Sequence, residues 1–364
     1  MSQHSLELRR DDGTLLAIVD TLTSATYAIV ANDVAPCTLV LPWDYNPALL
    51  VPDNRIDIWR APDNGAPSRQ RIYFLRYLEE GTDEDGNRAV IVKGYDQNYL
   101  LTSRIVAYDA GTPYTEKTGY ADDIMKAIVR ENMSTLAVDT ARQISSTYLS
   151  VEPDLSLGPT LTKITFPRKN VLNALQAVAE AARTAGTPVY FDLVAIDDTQ
   201  LQFRTYINQP GVDHTSTGIA PVSLGMEHGN MVSAKLVRDW SQEFTYVYAG
   251  GSGTGTARRI ITAESTARSG RSLFGRREEW YDRSNLSLTT TLTVAAYKRL
   301  AEGRPRLQFS GKLSGEGYGT TWRWGDKLPA VYNGQEYVSV IRAVTVRLDE
   351  DGNESIDGMV EYTE

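Results

Sequence analysis

Apolar and polar residues alternate at period two through much of the first hundred positions. In Arg55-Ile56-Asp57-Ile58-Trp59-Arg60, Ile56 and Ile58 face one way, as in a half-buried antiparallel strand, and Pro52-Asp53-Asn54 punctuates its start. Upstream, Leu6 and Leu8, the turn residues Asp11-Asp12-Gly13 and the run Leu15–Val19 predict a hairpin. Downstream, Ile72–Leu78 runs into Asp83-Glu84-Asp85-Gly86-Asn87, and Ala89–Val92 returns from it. Asp-Gly between alternating runs predicts a tight hairpin, because glycine accepts the positive φ that such turns need.

The same design recurs near the C-terminus: Val338–Val346, then Asp349-Glu350-Asp351-Gly352-Asn353, then Ser355-Ile356. Arg76 and Arg342 stand seven residues before the first Asp of their turns, and Phe74 and Val340 stand nine before. Ile72, Phe74 and Leu78 then match Val338, Val340 and Val344 as one apolar face. Asp53 matches Asp326 as the residue opening the preceding strand. Turn preference alone accounts for five residues written twice. The in-register arginine and the shared face argue for a duplicated β unit.

Between the copies the period shifts to 3.6. Ala121–Arg130 places Ile124, Ala127 and Ile128 on one stripe, with acids in the first turn and bases later, which predicts a helix. A second helix follows Asn170 as N-cap, with Val171, Leu172, Leu175, Val178, Ala179 and Ala182 as its apolar face and Gly186 ending it. Strands resume at Val189–Val194 and Leu201–Tyr206, so the middle reads as α+β within a mainly β chain. The Arg-, Ser- and Gly-rich stretch Gly250–Arg277 reads as a mobile loop, and a third helix, Val294–Ala301, is stopped by Gly303 and Pro305.

Composition narrows the function classes. At 364 residues, two or three domains are expected. The net charge of -9 argues against a surface that grips nucleic acid, although an acidic wall past which DNA slides is compatible with it. Charges occupy the N-terminus where a signal peptide needs an apolar stretch, and no segment approaches the ~20 apolar residues of a membrane span, so synthesis and folding in a cytoplasm are expected. Cys37 stands alone, excluding an intrachain disulfide and a multi-cysteine zinc cluster, and its alternation with Thr38 and Val40 reads as a small buried strand residue.

Candidate chemistry falls away on inspection. Gly250-Gly251-Ser252-Gly253-Thr254-Gly255 follows the strand Phe244–Tyr248 but lacks the Lys-Ser/Thr of a P-loop and the dinucleotide glycine spacing, so it reads as a flexible loop. Around the Asp-Glu-Asp-Gly-Asn turns, calcium-loop positions hold Gly81 and Val92 in one copy and Arg347 and Gly358 in the other, which leaves solvated hairpin turns. His4, His214 and His228 lack zinc-ligand spacing and read as surface histidines. A Cys37 nucleophile has no flanking motif to support it. No catalytic, cofactor-binding or metal-ligating residue is therefore assigned, and no cofactor. Trp59, Tyr77, Tyr95, Trp322 and Trp324 suit protein contacts or, alternatively, a carbohydrate platform.

Four segments carry a family resemblance: Leu49–Arg60, Lys93–Leu101, Lys117–Asn132 and Asn170–Leu175. Together they resemble the tail-tip hub proteins of long-tailed phages, which are similar to the baseplate hubs of contractile tails. The resemblance covers nearly the whole chain and rests on packing patterns. It implies two tube-like antiparallel β-barrel domains, at 1–108 and 221–364, flanking a small α+β domain at 109–220, with a helical insertion in the second barrel. It also implies a homotrimeric ring at the tip of the virion tail, made in the host cytoplasm. That ring would join the six-fold tail tube or distal tail ring to tip or fibre proteins and let DNA pass, without inserting into a membrane. Some relatives carry a cell-wall-degrading domain; here the second barrel runs to Glu364, so a structural protein is expected and not an enzyme. The alternative is a carbohydrate-binding tail module engaging the host surface.

Overall fold

The computed structural model describes residues 3–62, 65–82, 86, 88–107, 115–166, 168–215 and 222–363. The chain divides into two compact units, one of Met1–Ala234 with Ser310–Glu361, the other of Lys235–Phe309 with Tyr362–Glu364. The first unit opens with β1 (Gln3–Arg9), β2 (Leu15–Val19), β3 (Ser24–Val30), β4 (Pro36–Pro42), β5 (Arg55–Ala61), β6 (Ser68–Thr82) and β7 (Arg88–Asp96). Its middle holds β8 (Thr115–Tyr120), α1 (Ala121–Met133), β9 (Leu149–Val151), β10 (Thr160–Phe166), α2 (Val171–Thr184), β11 (Val189–Ala195) and β12 (Leu201–Ile207). There follow β13 (Leu224–Gly225), β14 (Met231–Asp239), β15 (Tyr246–Gly250), β16 (Ile260–Glu264), α3 (Thr266–Ser269), β17 (Glu278–Asp282) and α4 (Thr289–Glu302). The chain closes with β18 (Arg306–Leu313), β19 (Lys327–Tyr332), β20 (Gln335–Leu348) and β21 (Glu354–Thr363). The fold is mainly β with an α+β middle, as the periodicity predicts.

The early and late strands share one sheet. Its order runs β21-β20-β3-β4-β7-β6-β5-β1-β2, and β20 meets β3 antiparallel from Ala343↔Val30 to Leu348↔Ala25. Within it, β5-β6-β7 and β19-β20-β21 are two antiparallel meanders of the same order. Each has a register shift at the same place, between Leu75 and Tyr77 in one and between Ile341 and Ala343 in the other. Arg76 and Arg342 are thus the extra residues of two matching β-bulges. The backbone before each meander agrees as well, since Leu75 N donates to Asn54 O (2.8 Å) and Ile341 N to Asp326 O (2.9 Å). Asn54 is therefore the partner of Asp326, one place beyond the match read from sequence. Asp53 (φ 70°) corresponds to Gly325 (φ 84°) in the left-handed turn that starts the strand.

The shared face also differs from the sequence reading. Tyr73 and Leu75, matched by Ser339 and Ile341, are the buried positions common to both copies. Ile72 and Phe74 are buried too, but against the middle of the chain, whereas Val338 and Leu78 are exposed. An extra residue at the bulge reverses the alternation beyond it, so Val344 is buried in β20 although it is an odd number of residues from Ile341. Of the two Asp-Glu-Asp-Gly-Asn turns, residues 83–85 and 87 of the first lie outside the described residues. The second is a solvated hairpin turn in which Asp349 Oδ1 accepts from the backbone N–H of Asp351 (3.1 Å) and Asn353 (2.8 Å), with Gly352 at φ 76°.

The two middle helices meet over β11 and β12, burying Ile124, Met125, Ile128 and Val129 of α1 with Val171, Ala174, Leu175 and Val178 of α2. Asn170 caps α2 by accepting from Asn173 N at 2.7 Å, as its sequence predicts. The α1 stripe is rotated: Ala127 is only half-buried, and Lys126 is fully buried, reaching Pro153 O at 3.0 Å and the carboxylates of Glu152 and Asp122 at 3.4 and 3.6 Å.

The second unit is a sheet of order β16-β15-β17 under α4, with a core of Val247, Ala249, Ala263, Leu292, Ala296 and Leu300. The stretch expected as a mobile loop is largely built. Ile260–Glu264 pairs along all of β15, and Thr266–Ser269 forms a helical turn. The flanking Arg, Ser and Gly residues masked the short apolar run Ile260-Ile261. Gly250 sits against Trp280, where a Cβ would fall 2.6 Å from the ring, so this glycine serves packing.

Candidate functional site

A half-buried strand at Arg55–Arg60 would turn its polar face to solvent, yet Arg55 and Asp57 are buried, as is Arg71 of β6. A bulge between Ile58 and Trp59 sets Arg69 opposite Trp59 on one face of the β5-β6 pair and Arg71 opposite Ile58 on the other. Asp57 is enclosed by three guanidinium groups: Arg55 Nε at 3.0 Å, Arg69 Nε at 3.3 Å and Arg9 Nε at 3.7 Å. Burial nevertheless pushes its carboxyl up to about 6, the arginines opposing the rise. Arg9 and Arg69 also pair with Asp198 in the turn between β11 and β12, and Arg55 donates to the Asp198 carbonyl.

Two residues along β6, Arg71 Nη1 donates to both oxygens of Asp192 at 2.7 and 2.8 Å, and its guanidinium lies 4.9 Å over the Trp324 ring. Gln97 and Asn98 lace the same seam: Gln97 accepts from Ile72 N (3.1 Å) and donates to Leu193 O (2.8 Å), while Asn98 accepts from Leu193 N (2.9 Å). On the far side, Arg60 grips Glu354 with Nε and Nη2 at 2.6 and 2.7 Å and donates to Tyr318 O at 3.1 Å. A cleft of about 660 Å³ is walled by Arg60, Arg69, Arg71, Asp192, Tyr318 and Trp324. Arg71 Nη2 is buried there without a partner among the described residues.

The cleft is lined by paired charges. Its arginines are charge-compensated by Glu354, Asp57, Asp198 and Asp192, and no group of three His, Cys, Asp or Glu side chains able to hold a metal occurs there or elsewhere among those residues. Cys37 is buried in β4, where burial pushes its thiol up, as suits a core residue. Two histidines depart from the surface reading: His4 lies beside Tyr27 Oη (3.3 Å) and Glu354 (3.4 Å), and His214 pairs with Asp326 at 3.2 Å. His228 is exposed, as expected. Trp322 is a core residue, and Trp59 and Trp324 are half-buried under Arg69 and Arg71, so of the five aromatics proposed as surface only Tyr77 and Tyr95 are exposed. No helix is long and apolar enough to cross a membrane, among the described residues.

Asp96, beside this seam, gives a pH-dependent prediction. Burial raises its carboxyl from 3.8 to about 7, with Arg71 opposing and Asp192 reinforcing the rise. Between those values the folded chain holds a proton that the unfolded chain releases, so the contribution favours the fold at low pH and is lost as pH climbs through about 7. Asp96→Asn is expected to unfold at higher denaturant than the wild type at pH 8, by on the order of a few kcal/mol, with the gap narrowing towards pH 5. Chemical denaturation at both pH values checks this; a pH-independent gap rules out titration of Asp96 as the cause.

Comparison with known proteins then places the chain. Residues 5–357 match the family model described as Siphovirus ReqiPepy6 Gp37-like protein. The chain belongs to this family. Solved structures with the same fold include the tail protein from Neisseria meningitidis MC58, at TM-score 0.56 and 14% identity over 99% of this chain and 96% of that one. The 43 kDa tail protein of prophage MuSo2 from Shewanella oneidensis aligns at TM-score 0.55 and 14% identity over 100% and 98%. The prophage tail protein gp18 from Listeria monocytogenes EGD-e aligns at 0.52 and 12% over 98% and 94%. No curated protein matches by sequence. The Gp37-like chain thus has the fold of phage tail proteins, in line with the resemblance carried by its packing patterns. Sequence reading missed the Arg71–Asp192 seam, although Asp192 stands inside the apolar run Val189–Val194, and a carboxylate in such a strand requires a partner.

Proposed function

We propose that three copies of this chain form a ring at the tip of a phage tail, joining the six-fold tail tube to tip or fibre proteins and leaving a lumen through which DNA passes. The duplicated meander carries the reading. Both copies have the same strand order, the same bulge position and an arginine at the bulge, so three chains present six similar units and a three-fold ring can stack on a six-fold tube. In this reading segments 1–108 and 221–364 supply the tube-like walls and 109–220 an outer α+β part. The role is structural, without catalysis, in the virion tail after assembly in the host cytoplasm.

The test is native mass measurement with imaging of the purified protein, alone and with its neighbouring tail proteins. Three-fold rings are expected. A chain that stays monomeric even with those partners overturns the proposal.

A further inference from the structure

The net charge of -9 conceals a segregation. Lys235–Phe309 carries 13 Lys and Arg against 7 Asp and Glu, while the rest of the chain carries 24 against 39. One segment is thus basic and the remainder strongly acidic, which is the distribution of a molecule complementary to its own copy.

The basic segment also presents an apolar tip. Leu273 is 97% exposed and Phe274 82%, side by side between Gly270 and Gly275. The tip is held firmly: Thr245 Oγ1 donates to Gly275 O at 2.7 Å, Gly275 N to Ser272 O at 3.0 Å, and Thr245 N to Arg277 O at 2.9 Å. Glu243, nearly buried, gathers Arg277, Arg268 and Arg271 at 3.0, 3.6 and 3.7 Å beneath it. Two large apolar side chains fixed outward on a rigid, arginine-rimmed loop lose little conformational entropy on docking, as an anchor pair does.

A counterpart of opposite charge lies in the first unit. On the segment after β9, Leu155 and Leu157 are 53% and 61% exposed, with Asp154 just before them, paired to Arg130 at 2.6 Å, and Asp123 accepting from the N–H groups of Leu155 (3.1 Å) and Ser156 (3.2 Å). We infer that the Leu273-Phe274 tip of one copy seats on the Asp154–Leu157 segment of the next. The contact is heterologous and runs head to tail, and a three-fold rotation closes it as the ring proposed above. This rests on the trimer proposed above and names the surfaces that build it.

The test uses the full-length chain and native mass measurement. Leu273→Asp/Phe274→Asp is expected to weaken trimer formation at least tenfold while leaving the thermal midpoint unchanged, since both side chains are exposed. Leu155→Asp/Leu157→Asp should do the same. Mixed, the two variants retain one intact tip and one intact seat between them, so they should form a 1:1 dimer that cannot close. Added salt should loosen the wild-type ring. Two variants that assemble like the wild type overturn this inference and leave the trimer standing, as does a tip variant whose only loss is binding to anionic lipid vesicles. A wild type that is monomeric with its tail partners overturns both.

Discussion

Arg71→Ala is expected to lower the unfolding free energy by about 3–5 kcal/mol, since it strands Asp192 as a buried carboxylate with no counter-charge. The loss should show as an earlier first transition in guanidinium. Arg71→Lys should recover only part of it, because the guanidinium lies over the Trp324 ring, 4.9 Å from its centroid, while its Nη1 meets both Asp192 oxygens, and a compact ammonium does not reproduce both contacts. The pair variant Arg71→Ala/Asp192→Ala should cost less than the two single losses added together. Simple additivity across that cycle would show that the two charges do not depend on each other.

Trp322→Ala should be of similar size, about 3–5 kcal/mol, for a different reason. The ring is 1% exposed, donates from Nε1 to Glu316 O at 2.9 Å and packs on Tyr318 with centroids 5.0 Å apart. Gly358 approaches it so closely that a Cβ there would stand 2.7 Å from the indole. Removing the indole opens a cavity among backbone that cannot collapse into it. Trp322→Phe should be milder, and Gly358→Ala should also destabilise by crowding the same contact. Thermal melts of the three variants give the order; an alanine variant melting with the wild type would mean the ring is not part of the core.

The elements whose physics is local were legible in the sequence. Asn170 caps α2, Gly352 turns the last hairpin, and the arginines at 76 and 342 mark one place in two copies, because caps, positive-φ turns and strand alternation depend on nearest neighbours. Long-range packing decided what was misread. Ile72 and Val338 occupy equivalent positions, yet only Ile72 is covered, by residues from the distant middle of the chain. Trp322 has the composition of a surface aromatic and the burial of a core one, since what covers it includes Gly358 and Tyr318. The charged seam was invisible for the same reason: Arg71 and Asp192 are 121 residues apart, and neither has a motif around it.

The hydrogen bonding of β3 to β20 sets an order in time. Val30 waits for Ala343 across about 300 residues of chain, a closure that is slow because its entropy cost precedes any contact that rewards it. Until the last hairpin leaves the ribosome, β3 has an open edge able to pair with any other nascent strand. Release of a chain truncated before Gln335 should therefore yield aggregation, and synthesis of β20 becomes the step that closes this edge.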